Sequence, residues 1–319
     1  MKTRTYDEMI AEVMEHYGAE DYTGALQVLD REGGRYPDMA PMVYYLRSCM
    51  AARTGDHALA VGVIQDALDH GIFYGEQALR TTPSWQPLQG TPDFERVAAL
   101  CKAREAEAQA GAGLLTVVPA GGCSEQRPCP ALVALHGNAG DGESALEGWR
   151  AVTSQGWLLA AIQSSQIMAT RTYMWDDQET ALRDIAQQYA ELRNRHAIDP
   201  DRVILAGFSL GGETALRAAL TGTVPVRGFL ILGPGGPTID TPDEWLPLIK
   251  EAAPRGLRGY VLLGDQDEGV PQEQIHRLVE MLNEHGIPSH LEILPGHAHT
   301  YPRDPTPVLQ RALAFLKQE

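Results

Sequence analysis

The sequence lacks any apolar run approaching the ~18 residues that a membrane-spanning helix needs. Its first residues, MKTRTYDEMIAEVMEHYG, hold neither a long apolar stretch nor a small-residue cleavage site. No export signal is expected, and the expected location is cytoplasmic. Cysteine is scarce: four in 319 residues, too few for a disulfide scaffold. Cys123 and Cys129 are spaced closely enough to permit a bridge across a polar loop, but without an export signal reduced thiols are expected. No CxxC pair or neighbouring histidine accompanies them, so no metal site is expected there. Positive charge is also in deficit, with 26 Lys plus Arg against 42 Asp plus Glu and a formal net charge of -16. Residues 1–110 carry 10 basic and 17 acidic side chains and the remainder 16 and 25, so no block conceals a basic patch. Such a surface repels phosphate backbones and anionic lipid, and neither nucleic acid nor a membrane is an expected partner. What is present is an ordinary globular mixture, 44% apolar and 21% charged. At ~100–200 residues per domain the chain fits one large domain or two ordinary ones.

The hydrophobic pattern changes character along the chain. Residues 1–110 read as helical. One helix runs from Asp21 to Arg35 and stops at Tyr36-Pro37, because proline cannot continue the ladder. Others span Pro41 to Arg53 and His57 to His70, separated by the turn Thr54-Gly55-Asp56. Asp21, Ala25 and Leu29 recur as Asp56, Ala60 and Ile64, an offset of 35 residues. That offset is near the ~34-residue period of tetratricopeptide helix pairs, and the region resembles a short, degenerate form of them. Two repeats cannot make a long superhelical groove, so docking onto the second region is the expected use of their apolar face. Phe73, Tyr74, Trp85 and Phe94 are read as core residues or, alternatively, as part of a wall over a site in that region. The helical domain could also bind a protein partner or a second copy of the chain. The Ala- and Gly-rich run ending at Gly113 marks the boundary.

Residues 114–319 alternate apolar strands with helices. Strands are expected at 114–119, 131–136, 158–162, 202–207, 229–232, 260–263 and 291–294. Helices are expected at 176–196, 211–220 and, approximately, 242–253, 271–285 and 306–317. This alternation predicts an α/β fold with a mainly parallel, doubly wound sheet and helices on both faces. Chemistry in such folds sits at the carboxyl ends of the strands.

The strand at 202–207 runs into Gly207-Phe208-Ser209-Leu210-Gly211-Gly212, a GxSxG followed by an Ala-rich helix. With nine serines and 32 glycines, about 0.1 such matches arise by chance, so the bare pattern is weak and its strand-turn-helix context carries the weight. A tight turn of this kind exposes the serine and aims free helix N–H groups at an oxygen that becomes negative. Here the sequence resembles the α/β-hydrolase superfamily, closest to its phospholipase/carboxylesterase and dienelactone-hydrolase-like branches. The resemblance covers about 114–319 and implies a serine nucleophile followed in chain order by an acid and a histidine.

Gly264-Asp265-Gln266-Asp267-Glu268-Gly269-Val270-Pro271 is similar to the superfamily's G-x-x-D-x-x-V-P segment, which matches Asp267 to the acid, with Asp265 as competitor. Pro295-Gly296-His297-Ala298-His299-Thr300-Tyr301-Pro302 resembles the closing P-G-x-x-H-x-Y-P motif, which matches His299 to the base, with His297 as competitor. His136-Gly137-Asn138-Ala139-Gly140 resembles the His-Gly-x oxyanion segment. It implies an N–H donor at Asn138, or second at Ala139, beside that of Leu210. His136 itself is expected to brace the loop. Gln163, Ser164, Tyr173 and Trp175 lie on the same edge and are the substrate-pocket candidates, Trp175 being equally readable as a packing residue.

The stretch between Leu232 and Tyr260 is too short for the large cap of many lipases. The expectation is therefore an open site, small soluble esters and no cofactor. A carboxylesterase is the leading reading, with thioesterase, lactonase or peptidase activity on the same scaffold as the alternative. The reading from another class is a protein-binding adaptor with an ancillary hydrolase domain.

Overall fold

The computed structural model describes residues 4–111 and 113–318. Residues 1–3, Ala112 and Glu319, at the edges of the two expected regions, lie outside the described residues. The chain divides into two compact units. One holds residues up to 111 together with 167–171, and the other holds 112–166 and 172–319.

The first unit consists of α1 (Tyr6–Gly18), α2 (Tyr22–Glu32), α3 (Ala40–Arg53), α4 (His57–Asp69), α5 (Glu76–Thr81) and α6 (Pro92–Gly111). Its repeated residues have a physical meaning. Asp21 and Asp56 are the N-caps of α2 and α4, accepting from the N–H groups of Gly24 and Leu59 at 2.9 Å each. Ala25 and Ala60, one turn in, are fully buried where neighbouring helices approach. The core is aromatic. Trp85 packs edge-on against Tyr45 and Tyr74, with ring centroids 5.2 and 5.5 Å away, and its Nε1–H donates to Ser48 Oγ at 2.9 Å. Phe73, Tyr74, Trp85 and Phe94 are all buried.

Sequence periodicity did not foresee the short hairpin β4 (Gln166–Ala169) and β5 (Thr172–Met174). Its tip joins the first unit through backbone pairing: Gly75 N–H donates to Met168 O, and Thr170 N–H to Phe73 O, both at 2.9 Å. Gly75 is required there, since a Cβ would lie 1.9 Å from the Ile167 carbonyl oxygen.

The second unit runs β1 (Leu115–Val117), β2 (Cys129–Leu135), α7 (Gly142–Trp149) and β3 (Leu158–Ile162) before the hairpin. After it come α8 (Gln178–Arg195), β6 (Ile198–Phe208), α9 (Leu210–Thr221), β7 (Gly228–Leu232) and α10 (Leu246–Ala252). The chain closes with β8 (Arg258–Gly264), α11 (Gln272–Glu284), β9 (Ser289–Leu294) and α12 (Thr306–Leu316). The sheet order is β1-β3-β2-β6-β7-β8-β9, with β1 antiparallel to β3 and every other pair parallel. This is the α/β fold expected.

Alternate side chains of each inner strand enter opposite cores, as a period of two requires. Val133 and Leu135 of β2 pack with α8–α11, while Leu132 and Ala134 pack with α7 and α12. Both faces are covered, so the strands read as continuous apolar runs, and all seven residues of β2 are buried.

The cysteine expectation is corrected here. Cys123 and Cys129 form a disulfide, with an S–S distance of 2.07 Å and Cα atoms 5.3 Å apart. The intervening loop folds back on itself through reciprocal Ser124 and Arg127 backbone bonds of 3.1 and 3.0 Å, which brings the two sulfurs together. Cys49 and Cys101 are free and buried.

Candidate active site

The carboxyl end of β6 turns abruptly into α9 at Ser209, whose φ of 55° and ψ of -127° place a non-glycine residue in a strained conformation. The flanking glycines are steric requirements. A Cβ on Gly207 would sit 2.1 Å from Gly211 O, and one on Gly211 would sit 2.1 Å from His136 O. No side chain fits between the elbow and the end of β2. Leu210 is the first residue of α9, so its N–H has no intrahelical acceptor and faces the turn with the positive end of the helix dipole.

Asp267 follows β8 and His299 follows β9. His299 Nδ1 lies 2.7 Å from Asp267 Oδ2, and the other carboxylate oxygen accepts from Gly269 N–H at 3.0 Å. The Asp267 side chain is 2% exposed and that of His299 33%, so the carboxylate is shielded while the imidazole stays accessible. The Phe208 ring backs the imidazole, with centroids 4.7 Å apart, and Tyr301 backs Phe208 at the same spacing.

The two competitors are placed elsewhere. Asp265 accepts from Gly296 N–H at 2.7 Å and ties two loops together, while His297 Nε2 is held 2.7 Å from Thr300 O.

The loop after β7 joins these groups. Gly233 has a φ of 48°, and a Cβ there would sit 3.1 Å from Asp267 Oδ2 and 3.2 Å from His299 Nδ1. Two residues on, Gly235 N–H donates to Ser209 O at 3.2 Å, and its Cβ position lies 3.9 Å from Ser209 Oγ. Serine, histidine and aspartate thus converge on one three-residue stretch. Sequence reasoning missed the role of Gly233-Pro234-Gly235-Gly236; a glycine-dense run at a strand end was the available signal.

After β2, Gly140 N–H donates to Gly137 O at 3.1 Å and closes a turn with Ala139 at φ 59°. In such a turn the second residue, Asn138, does not spend its N–H on the turn's own bond. His136 is fully buried beneath it. The acceptor Gly137 O, 2.8 Å from Nδ1, and the donor Ser164 N–H, 3.4 Å from Nε2, select the neutral tautomer protonated at Nδ1. Burial pushes its pKa down to about 4.

Trp175, named as a pocket candidate, stacks on His136 with centroids 4.8 Å apart and donates Nε1–H to His136 O at 2.9 Å. It is 0% exposed, as is Ser164, whose hydroxyl donates to Met174 O at 2.6 Å. Gln163 accepts from Gly142 N–H at 2.8 Å at the start of α7. These three residues brace the floor instead of lining a pocket, because the chain leaving β3 dives under the Gly137–Gly140 turn. Tyr173 is partly exposed, and its N–H donates to Gly140 O at 3.0 Å.

A parallel sheet crossed by helices on both faces, with a strained serine elbow at its carboxyl edge, defines an α/β-hydrolase. Residues 143–314 match the dienelactone hydrolase family, and the chain belongs to that family. Residues 5–109 match the N-terminal domain of A/B hydrolase-like proteins.

The chain is similar along 98% of its length to a crystal structure of an uncharacterized protein from Bacillus cereus ATCC 10987. That match has 25% identity, a TM-score of 0.55 and 99% coverage of the other chain. Est1E from Butyrivibrio proteoclasticus, solved with ferulic acid bound, shares the fold at 15% identity and a TM-score of 0.51. The match covers 64% of this chain and 93% of that one. Acyl-protein thioesterase 1 of Mycosarcoma maydis is 29% identical over 116 residues, which span 34% of this chain and 43% of that protein. The chain therefore spans less than half the length of that relative. The second unit thus has the α/β-hydrolase fold.

Proposed function

We propose that the protein is a serine carboxylesterase of small soluble esters, with Ser209 as nucleophile, His299 as base and Asp267 as the acid that orients it. The observation that carries this reading is the 2.7 Å His299–Asp267 pair beside the strained Ser209 turn, all three meeting the Gly233–Gly235 loop.

A serine hydroxyl is a weak nucleophile until a base takes its proton. His299, donating Nδ1–H to Asp267, keeps Nε2 as that base, and the buried carboxylate stabilises the imidazolium that forms. Ser209 Oγ attacks the ester carbonyl. The N–H groups of Leu210 and Asn138 receive the oxyanion, each such donor contributing about 3–4 kcal/mol to the transition state. The alcohol departs with the proton from His299, and water activated by the same imidazole then releases the acid from the acyl-enzyme. The scheme requires no cofactor. Its proposed setting is the cytoplasm. Among the described residues no helix is long and apolar enough to cross a membrane.

The connection from β7 to β8 carries two 3-10 turns, Pro242–Trp245 and Ala253–Arg255, and the short α10, which favours an uncapped entrance and small substrates. The match to an acyl-protein thioesterase favours a second reading, thioester hydrolysis by the same residues.

The deciding experiment is labelling by a fluorophosphonate probe with Ser209→Ala as control, alongside p-nitrophenyl esters and thioesters of matched acyl groups. Labelling lost in the variant, with short esters turned over fastest, is the expected result. An unlabelled serine in folded protein refutes the assignment, and a preference for thioesters selects the second reading.

A further inference from the structure

One buried charge in the second unit has no part in the chemistry above. Glu213 lies in the first turn of α9, four residues after Ser209, and is 1% exposed. Burying a carboxylate is costly unless donors surround it, and here they all come from one neighbourhood. Ile239 N–H donates to Oε2 at 3.3 Å, and Arg217 stands 3.8 Å from Oε1. Arg217 is itself fixed, donating to Thr238 Oγ1 at 2.7 Å and lying 4.8 Å from the centre of the Trp245 ring. Burial pushes the Glu213 carboxyl up from its ordinary range, and the nearby Thr238 and Ile239 groups and the Arg217 charge partly offset it.

Ile239 belongs to the loop that follows β7, and Arg217 is held by the same loop through Thr238. That loop reaches the carboxylate at Gly236, whose φ is 151° and where a Cβ would lie 2.2 Å from Glu213 Oε2. The preceding residue, Gly235, sets its backbone against the elbow, with its Cβ position 3.9 Å from Ser209 Oγ and 3.7 Å from Val270 Cγ2. The carboxylate and the nucleophile thus grip adjacent residues of one segment. A shift of about an ångström at Gly236 reaches the wall beside Oγ directly.

We propose that Glu213 is a positioning residue that clamps the 233–240 loop against the acyl side of Ser209 and thereby restricts the site to short acyl chains. The proposal rests on the reading of Ser209 as nucleophile. It assigns specificity to a residue that never touches substrate.

The test compares wild type, Glu213→Ala, Glu213→Gln and Gly236→Ala on acetyl and octanoyl p-nitrophenyl esters. Fluorophosphonate labelling and amide exchange of residues 235–240 are followed in parallel. Releasing the loop lowers acetyl kcat/KM by about 10–100-fold through lost positioning. The octanoyl ester loses less, so the acetyl-to-octanoyl preference falls by about tenfold. Glu213→Gln keeps an acceptor for Ile239 N–H and rescues the preference to within about threefold of wild type. Gly236→Ala breaks the same contact from the loop side and gives the same shift should Glu213→Ala fail to fold.

Equal losses on both esters in folded variants, or an unchanged preference, overturn the clamp on specificity. Unchanged exchange at 235–240 overturns the clamp itself. Absence of labelling in the wild type instead overturns the nucleophile reading, while exchange still reports whether Glu213 holds the loop.

Discussion

The two units bury polar groups differently. In the helical unit Glu32, Ser48 and Thr82 are buried, and their partners lie inside the bundle, although Glu32 Oε2 accepts no hydrogen bond from the described residues. Ser48 donates to Ala60 O at 2.9 Å, Thr82 donates to Ala78 O at 2.7 Å, and Glu32 is met by Arg4 and Arg31. In the α/β unit the buried polar residues are His136, Gln163, Ser164, Glu213, Thr214 and Asp267. Every one follows the carboxyl end of β2, β3, β6 or β8. Polar groups scattered through a bundle specify packing, whereas a contiguous band of them at one edge of a sheet holds loops in place for chemistry. The contrast locates function without reference to sequence motifs.

The sharpest way to break this comparison is to remove the nucleophile. Ser209→Ala is expected to lower kcat/KM by about 10⁴-fold or more while leaving the melting temperature near wild type. Esterase assay and calorimetry on one preparation check both halves. Asp267→Asn keeps the geometry but disturbs the histidine tautomer, with an expected loss in kcat of about 10³–10⁴-fold; an unchanged rate would move the acid's role to Asp265.

In the helical unit the largest effect is structural. Trp85 is fully buried among Tyr45, Tyr74 and Phe94, and Trp85→Ala is expected to cost about 3–5 kcal/mol by denaturant titration.

A smaller effect comes from pH. His136 stays neutral in the folded protein down to about pH 4, whereas an unfolded histidine takes up a proton near 6.5. Between those values the unfolded chain binds more protons, so stability falls as pH drops through this window. The fall is about 3 kcal/mol by pH 4. Stability curves of wild type and His136→Gln across that range should differ in slope, and parallel curves would assign the acid sensitivity to other groups.

Smallest is the disulfide. It closes a short loop, so Cys123→Ser with Cys129→Ser should cost about 2 kcal/mol and leave activity unchanged.

Much of the fold was legible because its signals are local. β3 spans 158–162 as its apolar run indicates, and α3 and α4 lie within a residue of their expected limits. The serine elbow was readable from its GxSxG pattern between a strand and a helix, and Gly207 answers a steric demand only four residues away, whereas the demand on Gly211 comes from the end of β2. The misjudged parts depend on distant neighbours. Trp175 was readable equally as a pocket or a packing residue, and the packing reading is the one its place under the His136 turn, 39 residues away, agrees with. The β4–β5 hairpin carries no strong alternation because its tip pairs with residues near position 74.

By itself, the sequence determined the strand-helix alternation, the recurrence of Asp21 and Ala25 at Asp56 and Ala60, and the turn at Ser209. Each depends on side-chain size, periodicity or backbone bonding within a few residues. Only the tertiary structure decided that His299 meets Asp267 while Asp265 and His297 hold turns, that Cys123 and Cys129 join, and that Glu213 faces the loop after β7. Those outcomes turn on distances of a few ångströms between segments up to 32 residues apart, which hydrogen bonding and burial select only once the sheet has set the positions of its strand ends.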